Sequence, residues 1–202
     1  MNFKPSDLLF GIVDFLAFIV PGMILIMTIP IMFSIHLPGF STLAELNELS
    51  KGNLVVFILL SYIFGHFLHF IAAKLLEYPS VLYVKAKKGK EKYANFIRES
   101  EICIKKMIPG YEETDRVADA FVRLKNPQLI PELEKYLANS KLFRSLCLLC
   151  IYLCFYPGNT LWEIITLIIC SILSFLRFAN QKWKRLLVTY EFFILIHKED
   201  KS

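Results

Sequence analysis

Four stretches nearly free of charge, 8–33, 54–76, 142–155 and 161–176, limit what this chain can fold into more than any other feature. A run of roughly 18 or more apolar residues is long enough to cross bilayer hydrocarbon as a helix. The pattern predicts an all-α polytopic membrane protein, with four transmembrane helices and a helical insert between spans two and three. Ionisable residues interrupt the runs at few points: Asp14 in the first, His66, His69 and Lys74 in the second, Arg144 at the edge of the third and Glu163 near the start of the fourth. An unpaired charge at the centre of a bilayer costs about 2.5–3.5 kcal/mol or more, so each such residue is a candidate for function.

Composition agrees with that class. Hydrophobic residues make up 55% of the 202, aromatics 14% and charged residues only 20%, less charge than a soluble domain of this size carries. No small-residue cleavage site follows the first run, which reads as a retained span. The short connection 34–53 holds Glu45, Glu48 and one lysine, Lys51, whereas 79–141 carries thirteen Lys and Arg residues, from Lys85 to Lys141. Because Lys and Arg stay on the cytoplasmic side, 79–141 and the tail 177–202 are expected in the cytoplasm, with the N-terminus also inside an inner-membrane, multi-pass protein. Pro21-Gly22 predicts a kink in the first span. The third span is short and fills a bilayer only if Arg144 snorkels to the inner headgroups. Tyr156-Pro157-Gly158-Asn159-Thr160 predicts a tight turn between spans three and four.

The insert reads as helical. Tyr93, Phe96, Ile97, Ile104, Met107 and Ile108 fall on one face of 91–108, which Pro109-Gly110 ends. Thr114 is positioned to cap 115–125, with Val117, Phe121 and Leu124 inward. Pro131 opens a third helix, 132–140, that continues into span three. The tail mixes basic residues with Phe178, Trp183, Leu186, Leu187, Tyr190, Phe193 and Leu195, a composition for an extension of span four or for an interfacial amphipathic helix.

Asp14, His66 and His69 form the sharpest constellation. At about 1.5 Å per residue, Asp14 lies roughly 9 Å above the inner end of span one and His69 roughly 10 Å above that of span two. Their depths match if the two spans are neighbours. His66 and His69 share a helix face, and Ser61 and Gly65 offer small residues for close approach. A carboxylate facing imidazoles in low dielectric suits a proton relay, a pH sensor or a polar constriction; an interhelical hydrogen bond that only fixes packing has the same signature.

No metal or cofactor is expected. Cys147, Cys150 and Cys154 fall on one stripe inside span three, where thiols pack as small side chains. Lys85, Lys87, Lys88, Lys90 and Lys92 make a juxtamembrane basic patch suited to anionic headgroups, an acidic protein or nucleic acid, and equally a plain topology signal. No phosphate-binding glycine loop, His-Glu-x-x-His helix or Gly-x-Ser-x-Gly elbow occurs, and 79–141 contains no histidine, so catalysis of soluble type has no footing.

The segments Val13-Asp14-Phe15-Leu16-Ala17-Phe18-Ile19-Val20-Pro21-Gly22 and Ser61-Tyr62-Ile63-Phe64-Gly65-His66 resemble small bacterial membrane proteins of defence loci. Size and layout are similar to the membrane accessory protein of type VI-B CRISPR systems and to the membrane subunit of the Kiwa system. That resemblance implies a non-enzymatic partner or effector of an immune complex at the inner membrane. The expected function is an oligomeric, membrane-perturbing or channel-like protein controlled through its insert. A membrane anchor regulating a cytoplasmic enzyme and a small proton-coupled transporter are the alternatives. Expected partners are membrane lipids, further copies of the chain, and a cytoplasmic protein or ribonucleoprotein reached through 79–141.

Overall fold

Long apolar stretches punctuated by few Pro and Gly residues give long helices. A computed structural model describes residues 5–33, 51–89, 91–110 and 112–199, and among them no strand occurs. The helices are α1 (Pro5–Phe33), α2 (Lys51–Lys88), α3 (Glu91–Met107), α4 (Thr114–Lys125), α5 (Ile130–Leu153) and α6 (Leu161–Glu199), with a 3-10 turn at Pro127–Leu129 before α5. α1 runs unbroken through Pro21-Gly22 and α2 through Pro79. With 38 and 39 residues, α2 and α6 are each about 57–59 Å long.

Two helices, Gly52–Lys88 and Leu161–Lys198, are long and apolar enough to cross a membrane. Only 22% and 11% of their most apolar windows is buried, unlike the core helix of a soluble protein. The described apolar part of α1, Phe15–Ile29, falls short of that length.

The chain forms two compact units. One comprises, among the described residues, 11–33, 51–78 and Ala138–Phe178. Its α1 and α2 approach backbone to backbone, because small residues meet where they cross. A Cβ on Gly22 would lie 1.8 Å from the Ser61 carbonyl oxygen, and one on Gly65 would lie 2.0 Å from that of Phe18. The contact stripe of α2 is Phe57, Ser61, Gly65, Leu68 and Ala72, at helical spacing, and all five are buried. The Ser61 hydroxyl donates to the Phe57 carbonyl (2.7 Å), so a polar atom sits in the seam without needing the partner helix. In the same unit Ser171 Oγ donates to the Cys147 carbonyl (3.2 Å). That leaves the Cys147 thiol to donate to Ser171 Oγ at 3.4 Å. The turn between α5 and α6 holds Gly158 at φ 89°, and Asn159 Nδ2 donates to the Leu153 carbonyl (2.7 Å).

The other unit takes in, among the described residues, 5–10, Pro79–Leu137 and the chain from Ala179 on. Ile97, Ile104, Ala118, Val122, Leu133, Trp183, Tyr190, Phe193 and Ile196 make its core. Three sequence expectations need correction. Thr114 does not cap α4: it lies in the first turn, buried, with its hydroxyl 3.0 Å from that of Tyr190. The inward stripe is Thr114, Ala118 and Val122, and Leu124 is 83% exposed, because small Ala118 lets this face approach α6 closely while Val117 and Phe121 pack at its flank. Met107 and Ile108 are also exposed, since α3 stops there before the Pro109-Gly110 turn. Asp119 accepts from Arg123 Nε (2.8 Å) on its own helix and from Arg185 Nη2 (3.2 Å) on α6, and Arg123 also donates to Glu134. Burial holds the Tyr190 phenol well above its usual range, so it stays a neutral hydrogen-bonding group.

Gly65→Ala should force α1 and α2 apart and lower stability by about 1–3 kcal/mol, the usual penalty for overpacking. Gly52→Ala, which meets nothing within 4 Å, should not. Thermal unfolding of the purified protein in detergent measures both.

Candidate polar cluster of the first unit

Phe18, fixed at the α1–α2 seam, organises the polar groups around it. Its ring stacks on His66 (centroids 3.9 Å, planes 15° apart) and meets His69 edge-on at 5.0 Å. Tyr62 packs edge-on against both Phe18 (6.0 Å) and His66 (4.5 Å). The Lys141 ammonium sits 5.8 Å from the Phe18 centroid, a cation–π distance. Tyr62, His66 and His69 come at spacings of four and three on α2, which turns all three toward one strip of α1.

The two histidines then part ways. His66 is exposed and engages through ring contacts. His69 is half-buried and bonds to α5 through both ring nitrogens: Arg144 Nη2 donates to Nε2 (2.5 Å), and Nδ1 lies 3.3 Å from Ser145 Oγ. A guanidinium only donates, so Nε2 must hold a lone pair. Nε2 thus accepts from Arg144, and Nδ1 is the ring nitrogen that faces the Ser145 hydroxyl. Ser145 is fully buried. The Arg144 guanidinium also lies 5.8 Å from the Phe178 ring. Its Nε is buried without a hydrogen-bond partner.

Arg144 therefore does not reach away from the bundle, as snorkelling required: it turns inward because His69 supplies an acceptor and Phe178 a π face. Sequence reasoning missed Arg144 and Ser145 as partners of His69. No sequence signal pointed to the pair, since His69 was placed about 10 Å above the inner end of its span and Arg144 at the edge of its own. Asp14 lies on α1 one turn before Phe18, and its side chain is outside the described residues.

The basic patch is only partly free. Lys88 forms an ion pair with Glu101 (2.9 Å), and the Lys87 ammonium sits 5.6 Å from the Tyr83 ring. Lys85 is exposed, whereas Lys90 and the side chain of Lys92 lie outside the described residues. Glu163 has a local role. Thr160 N donates to its Oε2 (2.6 Å) and Glu163 N donates back to Thr160 Oγ1 (3.4 Å), a capping box that starts α6. Among the described residues no group of His, Cys, Asp and Glu is arranged to hold a metal ion, and all five cysteines are free thiols.

His69→Ala should leave a half-buried guanidinium without its acceptor and destabilise the protein by about 1.5–3 kcal/mol, as for a hydrogen bond to a charged group. Adding Arg144→Leu should recover part of that loss, giving a coupling of about 1 kcal/mol in a double-mutant cycle. Additive losses in detergent unfolding would show that the two side chains do not act together.

Comparison with protein-family models, with curated proteins and with solved structures finds no match for this chain.

Proposed function

We propose that this chain is a non-enzymatic, multi-pass inner-membrane protein that assembles in several copies to perturb or gate the membrane. In this reading all four apolar segments cross, both termini face the cytoplasm, and 79–141 receives the trigger. The observation that carries it is the His69–Arg144–Ser145 cluster, a polar and charged group held among apolar helices whose outer faces are exposed. Desolvating a guanidinium is costly, and a chain that needed Arg144 only for packing would be served as well by an apolar residue. Four spans are too few to enclose a pathway alone, so several copies would have to line one. Asp14, one turn from Phe18 on α1, is the carboxylate proposed to complete the cluster. The resemblance of the first two segments to defence-associated membrane proteins supplies the setting, an effector or accessory of an immune complex.

A second reading, a membrane anchor that regulates a cytoplasmic enzyme, draws on one observation. Leu124 on α4 and Ile102, Met107 and Ile108 on the α3 side are exposed apolar side chains on a unit whose core is otherwise well filled.

Ion flux from liposomes carrying the purified protein separates the two. Wild-type leakage that both Asp14→Asn and Arg144→Gln abolish is the expected result. Vesicles that stay sealed with the wild type would remove constitutive conduction and leave the anchor reading.

A further inference from the structure

At the end of the first unit where α5 turns into α6, an open cleft of about 440 Å³ is lined by Thr28, Leu153, Tyr156, Trp162, Glu163 and Leu167, among others. Its size falls within the roughly 300–1,000 Å³ of small-molecule sites. The chemistry of the lining is lopsided. Thr28 and Thr166 turn their hydroxyls to their own helices, donating to the Ile24 and Trp162 carbonyls at 2.8 Å. Asn159 spends its amide nitrogen on the Leu153 carbonyl. The remaining polar group of consequence is the Glu163 carboxylate, whose bonds from Thr160 both fall on Oε2, leaving Oε1 toward solvent. Among the described residues that line the cleft none is Lys or Arg. Trp162 is 78% exposed, a large aromatic face held open to solvent or lipid beside that carboxylate.

Aromatic faces beside a carboxylate, over an apolar floor, attract a positive charge on an apolar body. The carboxylate of Glu163, set in the first turn of α6, disfavours a second anion beside it. We propose that this cleft binds a lipophilic organic cation, a quaternary ammonium or phosphonium, with its charge against Tyr156, Trp162 and Glu163 and its body on Leu153 and Leu167. The site is separate from the His69–Arg144 cluster and does not depend on any conducting role.

Tetraphenylphosphonium is a suitable probe, titrated into the full chain in detergent by calorimetry, with tetraphenylborate as a control of the same shape and opposite charge. Trp162 emission locates the site, because the second tryptophan, Trp183, is buried in the core of the other unit. Saturable binding of the phosphonium, with a change in Trp162 emission, is expected, and tetraphenylborate should show none. Glu163→Gln keeps the capping box, which accepts Glu or Gln, and removes the charge. It should weaken the phosphonium by about fivefold or more. Trp162→Phe keeps an aromatic face and should retain binding by calorimetry, whereas Trp162→Ala should lose it. Equal affinity in Glu163→Gln, saturable binding of tetraphenylborate, or uptake that never saturates would each overturn the proposal.

Discussion

The direct approach of the α1 backbone to that of α2 governs the first unit. Gly22 and Gly65 leave no side chain between Phe18, Ser61 and their opposing helix, so neither helix can slide or rotate without driving atoms into backbone. Lipid tails give two apolar helices little hydrophobic reason to associate, and close packing of small residues is what holds such pairs. With that crossing fixed, Phe18 has one place to go, between His66 and His69. The polar cluster is thus a consequence of packing before it is a matter of charge.

The two units solve the burial of polar groups differently. In the first, a cation meets an imidazole acceptor and an aromatic face. In the second, Asp119 collects two arginines from different helices, an ion-pair network at a half-exposed surface where water shares the cost. The buried hydroxyls of Thr114 and Tyr190 pair with each other there.

Helical class, helix order and the turns at Pro109-Gly110 and 156–160 were legible in the sequence, since long apolar runs and Pro or Gly breaks act locally. The pairing of α1 with α2 was legible through Ser61 and Gly65. Side-chain facing was less so. Leu124 looked inward by hydrophobicity alone, yet Ala118 and Val122 take the core because closeness of approach depends on small residues. Arg144 was misjudged for a similar reason: its fate depended on an acceptor 75 residues away, which no local pattern displays. Glu163, an anomaly in an apolar run, proved to be half of a local cap whose partner stands three residues earlier.

The turn between α5 and α6 works as a ruler. Gly158 at φ 89° and the Asn159 bond to Leu153 set how far α6 has advanced when it starts back along α5. Thirteen residues past Gly158, Ser171 meets Cys147 in register. One residue added there and taken up by α6 instead of by the turn would rotate the helix positions that follow by about 100° and shift them by about 1.5 Å. Ser171 would leave Cys147, and the exposed faces of Ile165, Ile169 and Ile172 would swing toward α5. The length of the seven-residue connection 154–160 is therefore under the same geometric constraint as a core side chain, although none of its residues is fully buried.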